Sequence, residues 1–135
     1  MTQDKYSPTR SVTLGFVLAG LFNIVGMLVV TRGFTSDALT RLDPGAFSPT
    51  GCAVVCLWGL AYMGLATSYH RAPSLALVFC VEKMFYAIRW VWWLSINVEA
   101  VVAHDTWSPF FYTYGFLDGL WGLFFFGVWW RYRGV

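Results

Sequence analysis

The sequence predicts an all-α integral membrane protein, an up-down four-helix bundle with both termini on the cytoplasmic side. Three observations lead there. Four apolar runs recur along 135 residues, each near the length that crosses a bilayer. Hydrophobic residues make up 58% of the chain and charged residues 12%, with a mean hydropathy of +0.58. Lys and Arg gather at the ends of the runs, more on one side than on the other. A small water-soluble domain must cover a large surface with polar groups, and ordinary domains carry about 25% charged residues. The composition therefore excludes a soluble globular domain, a disordered chain and a disulfide-knotted secreted domain. A net charge of +2 with dispersed basic residues also argues against nucleic acid as a partner.

The chain reads as a single transmembrane domain over residues 1–135, with spans at about 12–30, 51–69, 73–96 and 109–130. Val12 to Val30 carries no charged side chain and would rise about 28 Å as a helix, close to the ~30 Å hydrocarbon core. It is longer than a signal-peptide core, and Thr31-Arg32-Gly33 is no small-residue cleavage site, so the helix is expected to be retained. Gly51 to Tyr69 is also free of charge, and Pro109 to Trp130 is interrupted by Asp118. Pro73 to Ile96 carries Glu82, Lys83 and Arg89. Ser7-Pro8, Ser48-Pro49, Ala72-Pro73 and Ser108-Pro109 precede the four runs. Proline suits the first helical turn, where its missing N–H has no partner to lose, and serine can cap the open N–H groups. Between the first two spans, a short surface helix is expected around Asp37–Leu42, stopped by Asp43-Pro44-Gly45.

Orientation follows from the positive-inside tendency. Lys5, Arg10, Arg71, Arg131 and Arg133 fall on one side, Arg32 and Arg41 on the other. The termini are therefore expected in the cytoplasm, in a multi-pass protein of the cell membrane. Trp92, Trp93 and Trp107 would mark the outer interface, and Trp129, Trp130 and Tyr132 the inner one.

Function is expected where charge enters lipid. Each central charge costs about 2.5–3.5 kcal/mol on insertion scales, more than the apolar residues of the third span return. That span needs neighbours. Glu82 and Arg89, seven residues apart, lie about 20° apart around a helix, with Tyr86 and Trp93 on the same stripe. Lys83 points about 100° away, and Asp118 in the fourth span sits at a similar depth. Asn23 falls at that depth in the first span. These residues read either as a register-fixing ion-pair network or as a polar site at the bilayer midplane. Trp58 and Trp121 join them as candidates because a mid-span indole N–H needs an acceptor. Gly115, Gly119 and Gly122 form a small-residue stripe suited to close helix packing, to a dimer face, or to a ligand lying flat on the backbone.

Other polar residues form no recognisable catalytic set. Cys52 and Cys56 are spaced i, i+4 with Cys80 elsewhere, and they read as small apolar fillers. His70 and His104 are expected on opposite membrane faces, so no metal or haem site is expected. Eight Trp, seven Tyr and twelve Phe offer flat surface for a quinone, a pigment or a lipid. The leading expectation is a non-catalytic accessory or assembly subunit of a membrane complex, or a binder of a lipophilic molecule. Its partners would be the bilayer, other membrane subunits or further copies of itself. The first alternative is an oligomeric proton-coupled transporter of small molecules, with Glu82 or Asp118 carrying the proton. The second is a lipid-modifying enzyme using Glu82, Lys83 and Tyr86 as acid–base groups.

Overall fold

The computed structural model describes residues 7–134. Lys5 and Tyr6, which bear on the orientation and on the first helix start, lie outside the described residues. The protein is all-α, 80% helical, with no strand among the described residues. Six helices succeed one another: α1 Arg10–Val30, α2 Asp37–Leu42, α3 Pro44–Phe47, α4 Pro49–Leu65, α5 Pro73–Val102 and α6 Ser108–Tyr132. They fall into two compact units, one covering Ser7–Tyr69 and the other running from His70 onward.

In the first unit α1 packs along α4. Its buried residues Phe16, Ala19, Gly20 and Asn23 recur every three to four positions, the period of one helix face. Gly20 and Gly59 set the approach: a Cβ on Gly20 would lie 2.6 Å from the Gly59 carbonyl oxygen, and one on Gly59 2.8 Å from the Gly20 carbonyl oxygen. Two glycines facing each other let the backbones meet with no side chain between them. The short helix expected at Asp37–Leu42 is α2, with those bounds. Asp43-Pro44-Gly45 does more than stop it. Asp43 accepts a hydrogen bond from the Ala46 amide at 3.3 Å, and Pro44 opens α3. Thr40 then ties the two short helices by donating to the Phe47 carbonyl at 2.9 Å.

Helix starts match the sequence expectation in part. Ser48 caps α4, its hydroxyl accepting from the Gly51 amide at 3.1 Å. Pro8, however, precedes the cap of α1, which is Thr9, and Ser108 lies within α6 rather than capping it. Helix ends differ for physical reasons. The second run, expected to reach Tyr69, leaves the helix at Leu65, because its last residues turn back onto α1. Tyr69 stacks on Phe16 with centroids 5.2 Å apart, and its hydroxyl accepts from the Thr9 amide at 2.6 Å. The third run, expected to end at Ile96, continues as helix to Val102. Ser95 and Asn97 end the apolar run but not the helix, since they donate back to the carbonyls of Trp92 (2.7 Å) and Trp93 (2.9 Å).

Among the described residues, one helix, Arg10–Val30, is long and apolar enough by itself to cross a membrane. Pro49–Leu65 is apolar but has 17 residues. The helices α5 and α6 are long, but α5 carries Glu82, Lys83 and Arg89, and Asp118 and many aromatic side chains lower the apolarity of α6.

Candidate functional site

The second unit is an antiparallel hairpin of α5 and α6 joined by residues 103–107. A ladder of contacts climbs its seam. Phe79 meets Phe125 edge-on at 5.4 Å, and Lys83 Nζ donates to Asp118 Oδ1 at 2.8 Å. Above them Ala87 faces Gly119, and a Cβ built on Gly119 would lie 4.0 Å from that of Ala87. Trp90 lies over Gly115, where any Cβ would strike the indole ring. Trp93 stacks on Phe111 at 5.1 Å. Phe79, Lys83, Ala87, Trp90 and Trp93 recur at helical spacing, so one stripe of α5 makes the seam.

The ion pair is well sealed, with side-chain exposures of 2% for Lys83 and 14% for Asp118. Glu82 is buried on the neighbouring stripe, while Tyr86 and Arg89 are half-buried. Of the acid–phenol–guanidinium–indole stripe expected from spacing, Glu82, Tyr86 and Arg89 stay close enough to interact electrostatically, with Asp118 also within reach of Tyr86, while Trp93 turns to Phe111 of α6. Asn23 belongs to the first unit, where its amide donates to the Val55 carbonyl at 3.1 Å and ties α1 to α4. Trp58 is half-buried in α4, and Trp121 is half-buried in α6 with its ring 5.8 Å from that of Phe124.

The three glycines of α6 serve different ends. Gly115 accepts the Trp90 ring, and Gly122 lies against Met84 and the Lys83 stem. Gly119 lies instead on an open groove of about 360 Å³ along the α5–α6 seam. Ala87, Ile88 and Val91 of α5 line it with Gly119, Leu120 and Leu123 of α6, among other apolar residues. Its lining includes none of Glu82, Lys83, Tyr86, Arg89 or Asp118. It is a groove with an apolar lining, which offers shape and apolar contact rather than hydrogen bonds.

Two features escape a reading of the sequence. Trp90 donates its indole N–H to the Phe111 carbonyl at 2.6 Å, locking α5 to α6. The signal is present in Gly115, whose missing side chain makes room for a large ring on the partner helix. The facing of Gly20 and Gly59 is the second: α1 also carries Gly15 and Gly26, and α4 Gly51 and Gly64, so the sequence does not show which glycines meet. Cys52 and Cys80 are buried thiols and Cys56 is half-buried. Among the described residues no group of three or more His, Cys, Asp or Glu side chains is placed to hold a metal ion. Comparison with known protein families, curated proteins and solved structures finds no match to this chain.

Proposed function

We propose that this chain is a multi-pass, non-catalytic membrane protein that holds a lipophilic molecule in the α5–α6 groove. The observation that carries this reading is an inverted distribution of polarity. Among the described residues, the exposed large apolar side chains all lie on α1, α4, α5 and α6. Val29 is 70% exposed, Leu57 63%, Ile88 69% and Leu123 62%, whereas Lys83 is 2% exposed. Soluble monomers rarely expose contiguous apolar patches beyond a few hundred Å². Lipid as solvent accounts for apolar residues outside and charges paired inside. The paired Lys83 and Asp118 then answer for α5 and α6: their charges enter the hydrocarbon as a hydrogen-bonded pair.

The groove supports the ligand half of the proposal. Gly119 and Ala87 thin the seam, and the exposed Ile88, Phe116, Leu120 and Leu123 rim it. A flat or chain-like apolar molecule fits such a lining, and a polar one does not. Gly119→Leu fills the groove while its Cβ meets Ala87 at ordinary contact distance. Protein purified in mild detergent should lose its extractable lipophilic content in this variant and keep its melting temperature. Unchanged content would overturn the groove reading. Recovery of the wild-type chain in the soluble fraction without detergent would overturn the membrane reading. Co-purification of another membrane subunit, released by Gly119→Leu, would assign the groove to a partner helix instead.

A further inference from the structure

We propose that the groove's occupant is an anionic phospholipid, its phosphate at Arg133 and the end of one acyl chain between α5 and α6. The proposal rests on the membrane reading and names the ligand class of the same groove. It starts from the last turn of α6. The Arg133 guanidinium carbon lies 3.4 Å from the centroid of the Trp130 ring and 5.0 Å from that of Trp129. Phe126 extends this stack, 6.1 Å from Trp130 and 5.5 Å from Trp129. A guanidinium laid on an indole is held by cation–π attraction while its N–H groups point outward in its own plane. That plane matches phosphate oxygens, which accept two parallel N–H bonds. Among the described residues, neither Arg131 nor Arg133 has a carboxylate or hydrogen-bond partner, and both are exposed. Two cations at one helix end, with no carboxylate partner among the described residues, favour anionic charge there.

A track leads from this end to the groove. Trp130 is 54% exposed, Gly127 has open space where a Cβ would stand, and Leu123 rims the groove. These three residues succeed one another at helical spacing on one face of α6. Arg133 stands ten residues beyond Leu123, about 15 Å along the helix. Half of a ~30 Å hydrocarbon core is the same length, so a chain anchored at the arginine ends at the groove. A purely apolar groove suits the chain end, and the stacked arginine suits the headgroup.

The test is native mass spectrometry of the full chain released from bilayers of equal parts phosphatidylglycerol and phosphatidylcholine. Wild-type protein should retain phosphatidylglycerol over phosphatidylcholine by about five-fold, the preference one arginine gives near an anionic surface. Arg133→Gln should bring the ratio to about one, and Arg133→Lys, which keeps the charge but not the plane, should fall between. Gly127→Leu, set across the track, should lower retention of both lipids. An unchanged ratio in Arg133→Gln overturns the headgroup assignment while leaving the groove reading intact. Unchanged retention in Gly119→Leu overturns the groove reading and this proposal with it. Loss of the preference on adding millimolar inorganic phosphate would mean that the arginine binds the soluble ion, and would also overturn it.

Discussion

Lys83 lays its stem beside Gly122 of α6 and reaches back to Asp118. A Cβ on Gly122 would sit 3.4 Å from that of Lys83, so the lysine stem lies against bare backbone of α6. Its ammonium then turns back one helical turn, to the carboxylate four residues before that glycine, at 2.8 Å. Close helix approach at Gly122 and ion pairing at Asp118 thus meet on one residue, Lys83.

Removing one partner should be costly, because it leaves the other's charge buried. Lys83→Met or Asp118→Leu is expected to lose about 3–5 kcal/mol, and the double variant should recover much of it. Melting of both singles and the double in one detergent measures the coupling. Strictly additive losses would mean that the pair contributes nothing as a pair.

This pair shows what the sequence makes legible and what it hides. Depth along a helix is counted from its ends, so two opposite charges at one depth can be matched from the sequence alone. Azimuth is harder. Trp93 shares a stripe with Glu82 by spacing, yet it serves the α6 seam, because packing on Phe111 decides where a large ring goes. Helix ends are the least legible. Hydropathy marks where apolar residues stop, whereas a helix stops where its hydrogen bonds do. Ser95 and Asn97 satisfy their polar groups on helix carbonyls and so carry α5 onward. Tyr69 is apolar enough to extend a run, but its partner is Phe16 on another helix. The α5–α6 groove is not legible as a space. Its glycine is visible, but emptiness depends on which residue of the partner stands opposite, and here it is Ala87.

The glycines of the first unit should separate cleanly. Gly20→Ala drives a methyl into Met63 and toward the Gly59 carbonyl oxygen, 2.6 Å away, and Gly59→Ala meets the Gly20 carbonyl oxygen at 2.8 Å. Carbonyl backbone cannot move aside, so each should lose about 1–3 kcal/mol, as overpacked sites do. Gly26, on the same helix as Gly20, has nothing within 4 Å of a built Cβ. Gly26→Ala should be neutral or gain up to about 1 kcal/mol from helix propensity. Thermal melting of the three variants side by side checks the ranking.

The end of α1 stores strain that one substitution should relieve. The Gly33 amide donates to the Leu28 carbonyl at 2.8 Å and the Arg32 amide to Val29 at 3.3 Å, the pattern of a helix closed by a left-handed residue. That residue is Arg32, at φ 51°. Glycine is usual there because a Cβ costs about 1–2 kcal/mol in this conformation. Arg32→Gly should therefore raise the melting temperature, whereas Gly33→Ala, at φ 69°, should lower it. A lower melting temperature for Arg32→Gly would show that the arginine side chain outweighs its backbone cost.

The membrane reading makes a pattern that a single crossing cannot imitate. Arg32 and Arg41 flank the segment after α1, whereas Arg10, Arg71, Arg131 and Arg133 stand at helix ends expected on the other side. Thr35 and Ala103 should then face out and Thr67 and Gly134 should face the cytoplasm; all four are exposed positions. With Cys52, Cys56 and Cys80 replaced, single cysteines at these sites can be treated with an impermeant maleimide in intact cells. Labelling at Thr35 and Ala103, with Thr67 and Gly134 reacting only after permeabilisation, is the expected result. A protein crossed only by α1 would give one answer at all four sites, since every one of them comes after that helix. An alternating pattern of the opposite sense would keep four crossings but reverse the orientation, and the Lys and Arg distribution would then have been outweighed.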